Sequence, residues 1–313
     1  MLGAHNIIHL GIAFDKNYLT PFFTLITSIF INNKSNQISI HAIVTGISEA
    51  EKATINGYVK QNNAIINYYS IDEKTVSQYV LTSTWTSAVY YRLYFPLLVP
   101  ASVNRLLYLD TDTIVVNNLA QLYTSDLEHY PVGAVYDNWV KTAPQLGIKE
   151  EGNYFNSGVL LIDVKKWNAQ RISDASFAFL SANPEKIKYV DQDALNAVLM
   201  NNWKKLNAKY NLMYSYISED LSKEELNKFV ADKVILHFTL QRPWYLLCKN
   251  RYRNLYFFYL HKSPVENAKR IVDFEWSKVP TLIKIRLNEF YYDSPGLQKF
   301  WKRLKHKART DSY

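Results

Sequence analysis

Apolar runs that alternate with amphipathic helical segments constrain the fold of this chain most strongly. Residues 6–14, "NIIHLGIAF", predict a buried strand, and a helix follows from about Pro21, because proline is tolerated in a first helical turn. The run "QISIHAIVTG" predicts a second strand. Ser48 and Glu51 then form a capping box that opens another helix, with "AIINYYSID" as the strand behind it. This βαβαβ order indicates a mainly parallel, doubly wound α/β sheet.

The rest of the chain divides into a part that continues this pattern and a part that does not. A helix around "TSAVYYRLYFPLLVP" precedes the strand "NRLLYLD", and "VGAVYD" and "GVLLID" predict further short buried strands. From about residue 246 the sequence becomes aromatic, basic and helical, without further strand alternation. We therefore predict one α/β domain over 1–245 and a helical, basic extension over 246–313.

Composition narrows the setting in which this fold works. With 313 residues, 48% of them hydrophobic, the chain can bury a substantial core. Its single cysteine, Cys248, excludes an intramolecular disulfide, and the N-terminus lacks the basic region of a signal peptide, so a cytoplasmic location is expected. The apolar segment 18–33 contains Pro21 and several threonines and falls short of the roughly 20 clean residues of a membrane span.

Two aspartates end the predicted strand in "LLYLDTDTIVV", residues 106–116. Ionised carboxylates are rarely buried without a partner, and Asp110 and Asp112, two residues apart, can converge on one Mg²⁺ or Mn²⁺ ion that keeps positions open for phosphate oxygens. A simpler alternative is a turn in which both side chains cap backbone amides. A third is the DxDx[TV] signature of haloacid dehalogenase-like phosphatases, with Asp110 as nucleophile and Asp112 as general acid/base. That signature usually opens its domain, whereas here a hundred residues precede it.

Several stretches, in order along residues 6–244, resemble the retaining glycosyltransferases of family 8. They are "IAFDKNY", "GISEAEKATI", "YYRL", "LLYLDTDTIVVNNL", "NYFNSGVLLIDVKKW", "VDQDALN" and "LHFTLQRPW". The resemblance implies a single GT-A, Rossmann-like domain. It also implies transfer of a hexose, galactose or glucose, from a UDP-sugar to a glycan acceptor, with retention of the anomeric configuration.

The resemblance also implies roles for individual residues. Asp110, Asp112 and His237 would be ligands of Mn²⁺ or Mg²⁺, and Asp191 and Gln192 would lie at the reacting sugar, with Asp137 on the acceptor side. The residues implied to bind the donor are Ala13, Asp15, Asn17, Arg92, Asp110, Thr111, Asp112, Asn156, Ser157, Gly158, Asp191, Gln192 and Arg242.

Each of these residues also has an ordinary structural interpretation. His237 alone could be a core or surface histidine, Asp15 a helix cap and Arg92 part of a surface ion pair. The acidic "DQDALN" could simply favour a helix N-terminus through the helix dipole. The sequence leaves these alternatives open.

One departure from the family pattern concerns the loop after His237. Leu240 stands where the family has glycine, and Arg242 stands one residue earlier than the family's lysine. Because leucine adopts a positive φ only at a cost, we expect this loop to follow a different path, although Arg242 keeps a cation able to contact phosphate. The altered loop also leaves open a catalytically silent sugar-nucleotide-binding module.

The basic C-terminus accounts for most of the net charge of +8, because residues 299–313 carry six lysines and arginines and one acid. The segment 299–309, "KFWKRLKHKAR", interleaves Phe300, Trp301 and Leu304 with cations, which suits an interfacial helix on an anionic membrane. A solvated basic tail is the alternative; nucleic acid is not expected, since the chain shows no such module. Together with the resemblance, this predicts an enzyme at the inner face of the cell membrane that acts in lipopolysaccharide or surface polysaccharide synthesis.

Overall fold

Strands and helices alternate along most of the chain. The computed structural model describes residues 7–72, 79, 86–294 and 296–300. Its strands are β1 (Ile7–Asp15), β2 (Gln37–Thr45), β3 (Ile65–Tyr69), β4 (Arg105–Leu109), β5 (Thr113–Val115), β6 (Val132–Tyr136), β7 (Phe155–Asp163), β8 (Lys204–Lys205), β9 (Leu212–Met213) and β10 (Ile235–His237).

The helices cover the sheet and extend beyond it toward the C-terminus. They are α1 (Leu19–Asn32), α2 (Glu49–Gln61), α3 (Phe95–Leu98), α4 (Ala120–Tyr123), α5 (Val164–Ala169), α6 (Ile172–Ala182), α7 (Val190–Val198), α8 (Lys223–Ala231), α9 (Arg253–His261) and α10 (Val279–Asp293). Short 3₁₀ turns include Lys16–Tyr18 and Ser87–Leu93.

The central sheet has seven strands in the order β3-β2-β1-β4-β7-β6-β8. Four of its pairings are parallel, which confirms the predicted mainly parallel sheet. β7 is the exception, because it runs antiparallel to both β4 and β6. The run "GVLLID" is apolar at nearly every position, as expected for a strand buried on both faces, and such a run carries no information on strand direction.

Local signals in the N-terminal half predict its elements correctly. The Ser48 amide donates to Glu51 Oε2 at 2.7 Å and Ser48 Oγ accepts from the Glu51 amide at 3.3 Å, so the predicted capping box opens α2. The predicted helix over 86–100 is instead the 3₁₀ turn Ser87–Leu93 followed by the four-residue α3. Pro96 explains the break, since proline has no N–H to donate to a carbonyl of the preceding turn and is tolerated only in the first turn of a helix.

Both faces of the sheet are covered by apolar side chains, as a doubly wound sheet requires. Alternate residues of β4 illustrate this, because Leu107 and Leu109 pack with α1, whereas Leu106 and Tyr108 pack in the cluster that contains Trp167 of α5. The sheet is thus a buried layer, and its strand ends are the places where polar side chains reach solvent.

A small second sheet, in the order β5-β10-β9, was not anticipated from the sequence. β10 pairs antiparallel with β5, and His237 lies opposite Thr113 in this register. Tyr252 and Tyr256, at the start and in the middle of α9, pack against this sheet in one cluster with Phe238. This pairing carries His237 to the residues that follow β4.

The C-terminal part of the described chain presents apolar side chains to solvent. α10 has no buried residue, and the exposed fractions of Trp276, Leu287 and Phe290 are 80%, 63% and 62%. Among the described residues, no helix is long and apolar enough to cross a membrane. Residues 301–313, which include most of the basic tail, lie outside the described residues.

Candidate active site

Two carboxylates and one imidazole meet where β4 and β10 end. The potential ligand atoms of Asp110, Asp112 and His237 all lie within 4.8 Å of one another. His237 Nε2 lies 3.1 Å from Asp112 Oδ1 and 4.0 Å from Asp110 Oδ2. The β5–β10 pairing that places His237 opposite Thr113 produces this convergence across 125 residues of sequence.

The second oxygen of each carboxylate is held by neighbouring side chains. The Tyr108 hydroxyl donates to Asp110 Oδ1 at 2.8 Å, Arg92 Nη2 lies 3.0 Å from the same oxygen, and Arg242 Nε lies 3.1 Å from Asp112 Oδ2. Burial alone would raise the pKa of Asp112, but His237 and Arg242 together hold that pKa below its ordinary value. These contacts go to side chains, so the alternative of a turn in which both aspartates cap backbone amides does not describe this site.

An asparagine fixes the orientation of the His237 ring. Asn211 Nδ2 donates to Asn156 Oδ1 at 2.9 Å, and Asn156 Oδ1 also accepts from the Gly158 amide at 3.0 Å. Asn211 Oδ1 therefore faces His237 Nδ1, 2.9 Å away, and accepts its proton. His237 Nε2 then faces the carboxylates, which is the arrangement a metal-binding histidine needs.

Gly158 leaves the space in which these groups converge. A Cβ atom at this position would lie 2.3 Å from His237 Cε1 and 2.6 Å from Asp110 Oδ2. Any side chain here would therefore displace the two groups. Two carboxylates and a neutral imidazole form a donor set suited to Mn²⁺, so the residues present fit the metal that the sequence predicts.

Arg92 is buried, with an exposed fraction of 5%, and is not part of a surface ion pair. Its Nη2 pairs with Asp110, its Nε lies 2.9 Å from Asp191 Oδ2, and its Nη1 donates to the Ser157 carbonyl at 2.6 Å. Burial lowers the pKa of Arg92, but Asp110 and Asp191 more than compensate and raise it above its ordinary value. The arginine thus stays charged and joins the metal-site carboxylates to α7.

The start of α7 is strained where it enters the site. Val190 has φ +39°, which is unusual for a β-branched residue, and the next two side chains are Asp191 and Gln192. Burial raises the pKa of Asp191 to about 6, although Arg92 and Ser157 oppose this shift. Gln192 Oε1 accepts from the Ser157 amide at 3.0 Å and from Asn156 Nδ2 at 3.1 Å.

A cleft of about 310 Å³ collects most of the predicted donor residues. Asp137 closes its polar network, because Asp137 Oδ2 accepts from Asn156 Nδ2 and from Gln192 Nε2, both at 3.2 Å. Trp139, with an exposed fraction of 65%, and Tyr189 add aromatic surface that the sequence analysis did not single out. The predicted residues that line the cleft are Arg92, Asp110, Asp112, Asp137, Asn156, Ser157, Asp191, Gln192, His237 and Arg242.

A smaller cavity of about 120 Å³ adjoins the metal-site carboxylates at the end of β1. Ala13, Asp15 and Thr111 line it together with Arg92, Asp110, Asp112 and Arg242. Asp15 Oδ1 accepts from the Asn17 amide at 2.8 Å, so Asp15 caps the turn as well as facing this cavity. The Asn17 side chain is exposed and lines neither cavity.

Leu240 adopts the conformation that the sequence argument expected it to avoid. Its φ is +58°, within the left-handed region, and its exposed fraction is 62%. The inference that leucine would exclude positive φ from this loop is therefore wrong. Neighbouring contacts hold the loop, since Gln241 Oε1 accepts from the Lys249 amide at 2.8 Å and Arg242 reaches Asp112.

Replacing Leu240 with glycine should stabilise the protein by about 1 kcal/mol, because the left-handed conformation is costly for leucine and open to glycine. Urea unfolding of the variant measures this difference. Leu97 is the matched control, because it is also an exposed leucine but lies on α3 and does not have a positive φ. Glycine at this position should lower the free energy of unfolding. A loss of stability in Leu240→Gly equal to that in Leu97→Gly would contradict the assignment of strain.

Comparison with known proteins identifies the class to which this site belongs. The sequence model of Glycosyl transferase family 8 matches residues 9–247. The chain belongs to this family. This membership confirms the predicted class of enzyme, a glycosyltransferase, and argues against the phosphatase alternative.

Individual relatives and a solved structure agree with this assignment. General stress protein A of Bacillus subtilis (strain 168) is 28% identical over 267 residues, which are 81% of this chain and 93% of that protein. A lipopolysaccharide 1,2-glucosyltransferase of Escherichia coli is 30% identical over 256 residues, 77% of this chain and 76% of that protein. The galactosyltransferase LgtC, solved with donor and acceptor sugar analogs, aligns with a TM-score of 0.72 and 21% identity over 87% of this chain and 99% of its own. The predicted GT-A fold is thus confirmed.

Proposed function

We propose that this protein is a metal-dependent, retaining hexosyltransferase that moves galactose or glucose from a UDP-sugar to a glycan acceptor. The observation that carries the proposal is the convergence of His237 Nε2 with one oxygen each of Asp110 and Asp112, between the two cavities. The relative named lipopolysaccharide 1,2-glucosyltransferase supports a hexose donor and an acceptor in lipopolysaccharide or surface polysaccharide synthesis.

In this proposal the two cavities divide the donor between them. Ala13 leaves room for the uracil ring in the smaller cavity, and the Asp15 carboxylate accepts from the base N3–H. Asp110, Asp112 and His237 would hold Mn²⁺ or Mg²⁺, which would supply positive charge to the leaving diphosphate. Arg242, already paired with Asp112, adds a second cation on the same side.

The donor sugar then lies in the larger cleft beside Asn156 and Gln192, with Asp137 on the acceptor side, and their oxygens and amide groups suit hydroxyl recognition. Gln192 faces the reacting carbon, with its Oε1 oriented by Asn156 and the Ser157 amide. Asp191 acts in support, because its Oδ2 is bound to Arg92 and accepts from Ser157 Oγ. Because an amide oxygen is a weak nucleophile, we propose same-face displacement within an ion pair.

Release of UDP from a panel of UDP-sugars, with and without Mn²⁺, tests the proposal without an acceptor. We expect slow, Mn²⁺-dependent release from UDP-galactose or UDP-glucose, since water can replace the acceptor. No release from any sugar, together with Mn²⁺-independent UDP binding, would instead indicate the catalytically silent sugar-nucleotide-binding module.

Replacing Asn211 with alanine should weaken binding of Mn²⁺ in the presence of UDP by about 10- to 100-fold, because the His237 ring loses the acceptor that fixes its tautomer. Electron paramagnetic resonance of free and bound Mn²⁺ measures this affinity directly. Asn33 is the matched control, since it is equally buried but binds the Ile29 carbonyl and the Leu119 amide at the end of α1. Equal Mn²⁺ affinity in both variants would contradict the orienting role.

We further propose that the part from 246 to 313 associates with the membrane, so that the enzyme works at the inner face of the cell membrane on a glycolipid acceptor. The basic segment 299–309 and the exposed Trp276 and Phe290 support this role. Co-sedimentation with anionic phosphatidylglycerol vesicles should be lost when residues 299–313 are removed. Unchanged sedimentation would contradict an anchor in that segment.

A further inference from the structure

A third cavity, the distal cavity, lies between α10 and the body of the protein and has no role in the proposal so far. Its volume is about 630 Å³, a size typical of small-molecule sites. The segment after β9 contributes Tyr214 and Ile217, α8 contributes Leu226, and Ile285 and Asn288 come from α10.

The distal cavity adjoins the cleft that contains the predicted donor residues. Tyr214, Glu219 and Lys249 line both spaces. The Tyr214 hydroxyl donates to Glu219 Oε1 at 2.8 Å, so these two side chains form the boundary between them. A molecule whose sugar lies in the cleft would enter the distal cavity past these two side chains.

The wall of the distal cavity combines aliphatic and aromatic surface with five charged side chains, of which Arg251 and Glu289 are in ion pairs. Glu289 accepts from Arg253 at 2.8 Å and from Arg286 at 2.6 Å, and Arg251 pairs with Asp293. Tyr252 and Tyr291 contribute aromatic surface to this wall, and Ile217, Leu226 and Ile285 contribute aliphatic surface. The aliphatic and aromatic part of this surface favours the apolar portion of a ligand, whereas Lys249 and Lys284 add positive charge to the wall.

One face of α10 forms the roof of the distal cavity. Thr281, Lys284, Ile285 and Asn288 follow helical spacing and line the cavity, whereas Ile283 and Phe290 do not line it and are exposed. No residue of α10 is buried, so the apolar atoms on its inner face remain accessible to a ligand. A helix that only completed the core would bury such a face.

We infer that the distal cavity binds the apolar aglycone of a glycolipid acceptor while the terminal sugar of that acceptor lies in the cleft. This inference rests on the proposed function, because it assigns the acceptor side of the same site. The boundary that the two cavities share at Tyr214 and Glu219, and the aliphatic and aromatic surface of the distal cavity, together favour this occupant. The ligand class is a sugar that carries a hydrocarbon chain.

Binding of methyl β-galactoside and octyl β-galactoside to the full chain, with UDP and Mn²⁺ present, tests the inference by calorimetry. Each buried methylene should tighten binding by about fourfold, so octyl β-galactoside should bind at least about tenfold more tightly even if few methylenes are buried. Asn288→Trp, which places a large ring in the cavity from an exposed position, should abolish this preference. Ile283→Trp is the control on the same helix and should retain it.

Three results would overturn the inference: equal binding of the two glycosides, an octyl preference that survives in Asn288→Trp, or a preference lost equally in both variants. Thermal unfolding of each variant checks that it is folded. Release of UDP by the unmodified protein tests the proposed function separately. An octyl preference without UDP release would refute the transferase and keep the distal cavity as a binding site.

Discussion

Replacing Asp112 with asparagine should lower Mn²⁺-dependent UDP release at least about 100-fold. The change is nearly isosteric, but it removes the negative charge that Asp112 Oδ1 presents beside His237 Nε2 and that Oδ2 presents to Arg242. Initial rates at saturating UDP-sugar, measured over a Mn²⁺ series, separate a lost metal from a lost donor. The affinity for Mn²⁺ should fall with the rate.

Asp126→Asn is the control for this variant, because Asp126 is exposed and its side chain accepts from the Glu128 amide far from the cleft. That variant should release UDP at the normal rate. Full Mn²⁺-dependent release by Asp112→Asn would contradict the assignment of Asp112 as a ligand, provided that the variant unfolds at the same temperature as the unmodified protein.

Replacing Arg92 with methionine should lower the free energy of unfolding by about 3–5 kcal/mol, because it leaves buried charges without their partner. Asp191 has an exposed fraction of 2%, and Arg92 supplies its ion pair at 2.9 Å. Methionine keeps much of the volume of the arginine side chain, so the lost stability reports on the removed charge. Arg171→Met removes an ion pair with Asp174 that is exposed, and it should cost far less. Urea unfolding of both variants measures the contrast.

The deficit of Arg92→Met should shrink as the pH falls from 8 to 5. Burial raises the pKa of Asp191 to about 6, above the ordinary value of 3.8, so the folded protein binds more protons than the unfolded chain between about pH 4 and pH 6. Stability therefore falls as Asp191 ionises with rising pH, and removal of Arg92 extends this loss to higher pH. A deficit that stays constant from pH 8 to pH 5 would contradict buried charge as its cause.

The elements that the sequence predicts correctly are those set by local signals. The Ser48 capping box opens α2, and the aspartates of the "LDTD" stretch follow directly on β4. Both depend on residues a few positions apart. The same holds for Asp15, whose capping of the next turn was one of the two interpretations considered for it.

The features that the sequence does not predict depend on contacts between distant segments. The antiparallel direction of β7 is defined only by its pairing with β4 and β6. The β5–β10 pairing brings together residues more than a hundred positions apart. Asn211 orients His237 from the start of β9, and no local pattern distinguishes this asparagine from the others in the chain. For Leu240 a local rule gave the wrong prediction. Leucine was expected to avoid a positive φ, but the contacts that hold its loop impose one.

Pulsed electron paramagnetic resonance of Mn²⁺ bound with UDP tests the central claim most directly. If Asp110, Asp112 and His237 together hold the metal, the spectrum should show coupling to one imidazole nitrogen, and this coupling should disappear in His237→Ala. Bound Mn²⁺ without nitrogen coupling in the unmodified protein, or coupling that persists in His237→Ala, would contradict the metal centre and the mechanism built on it.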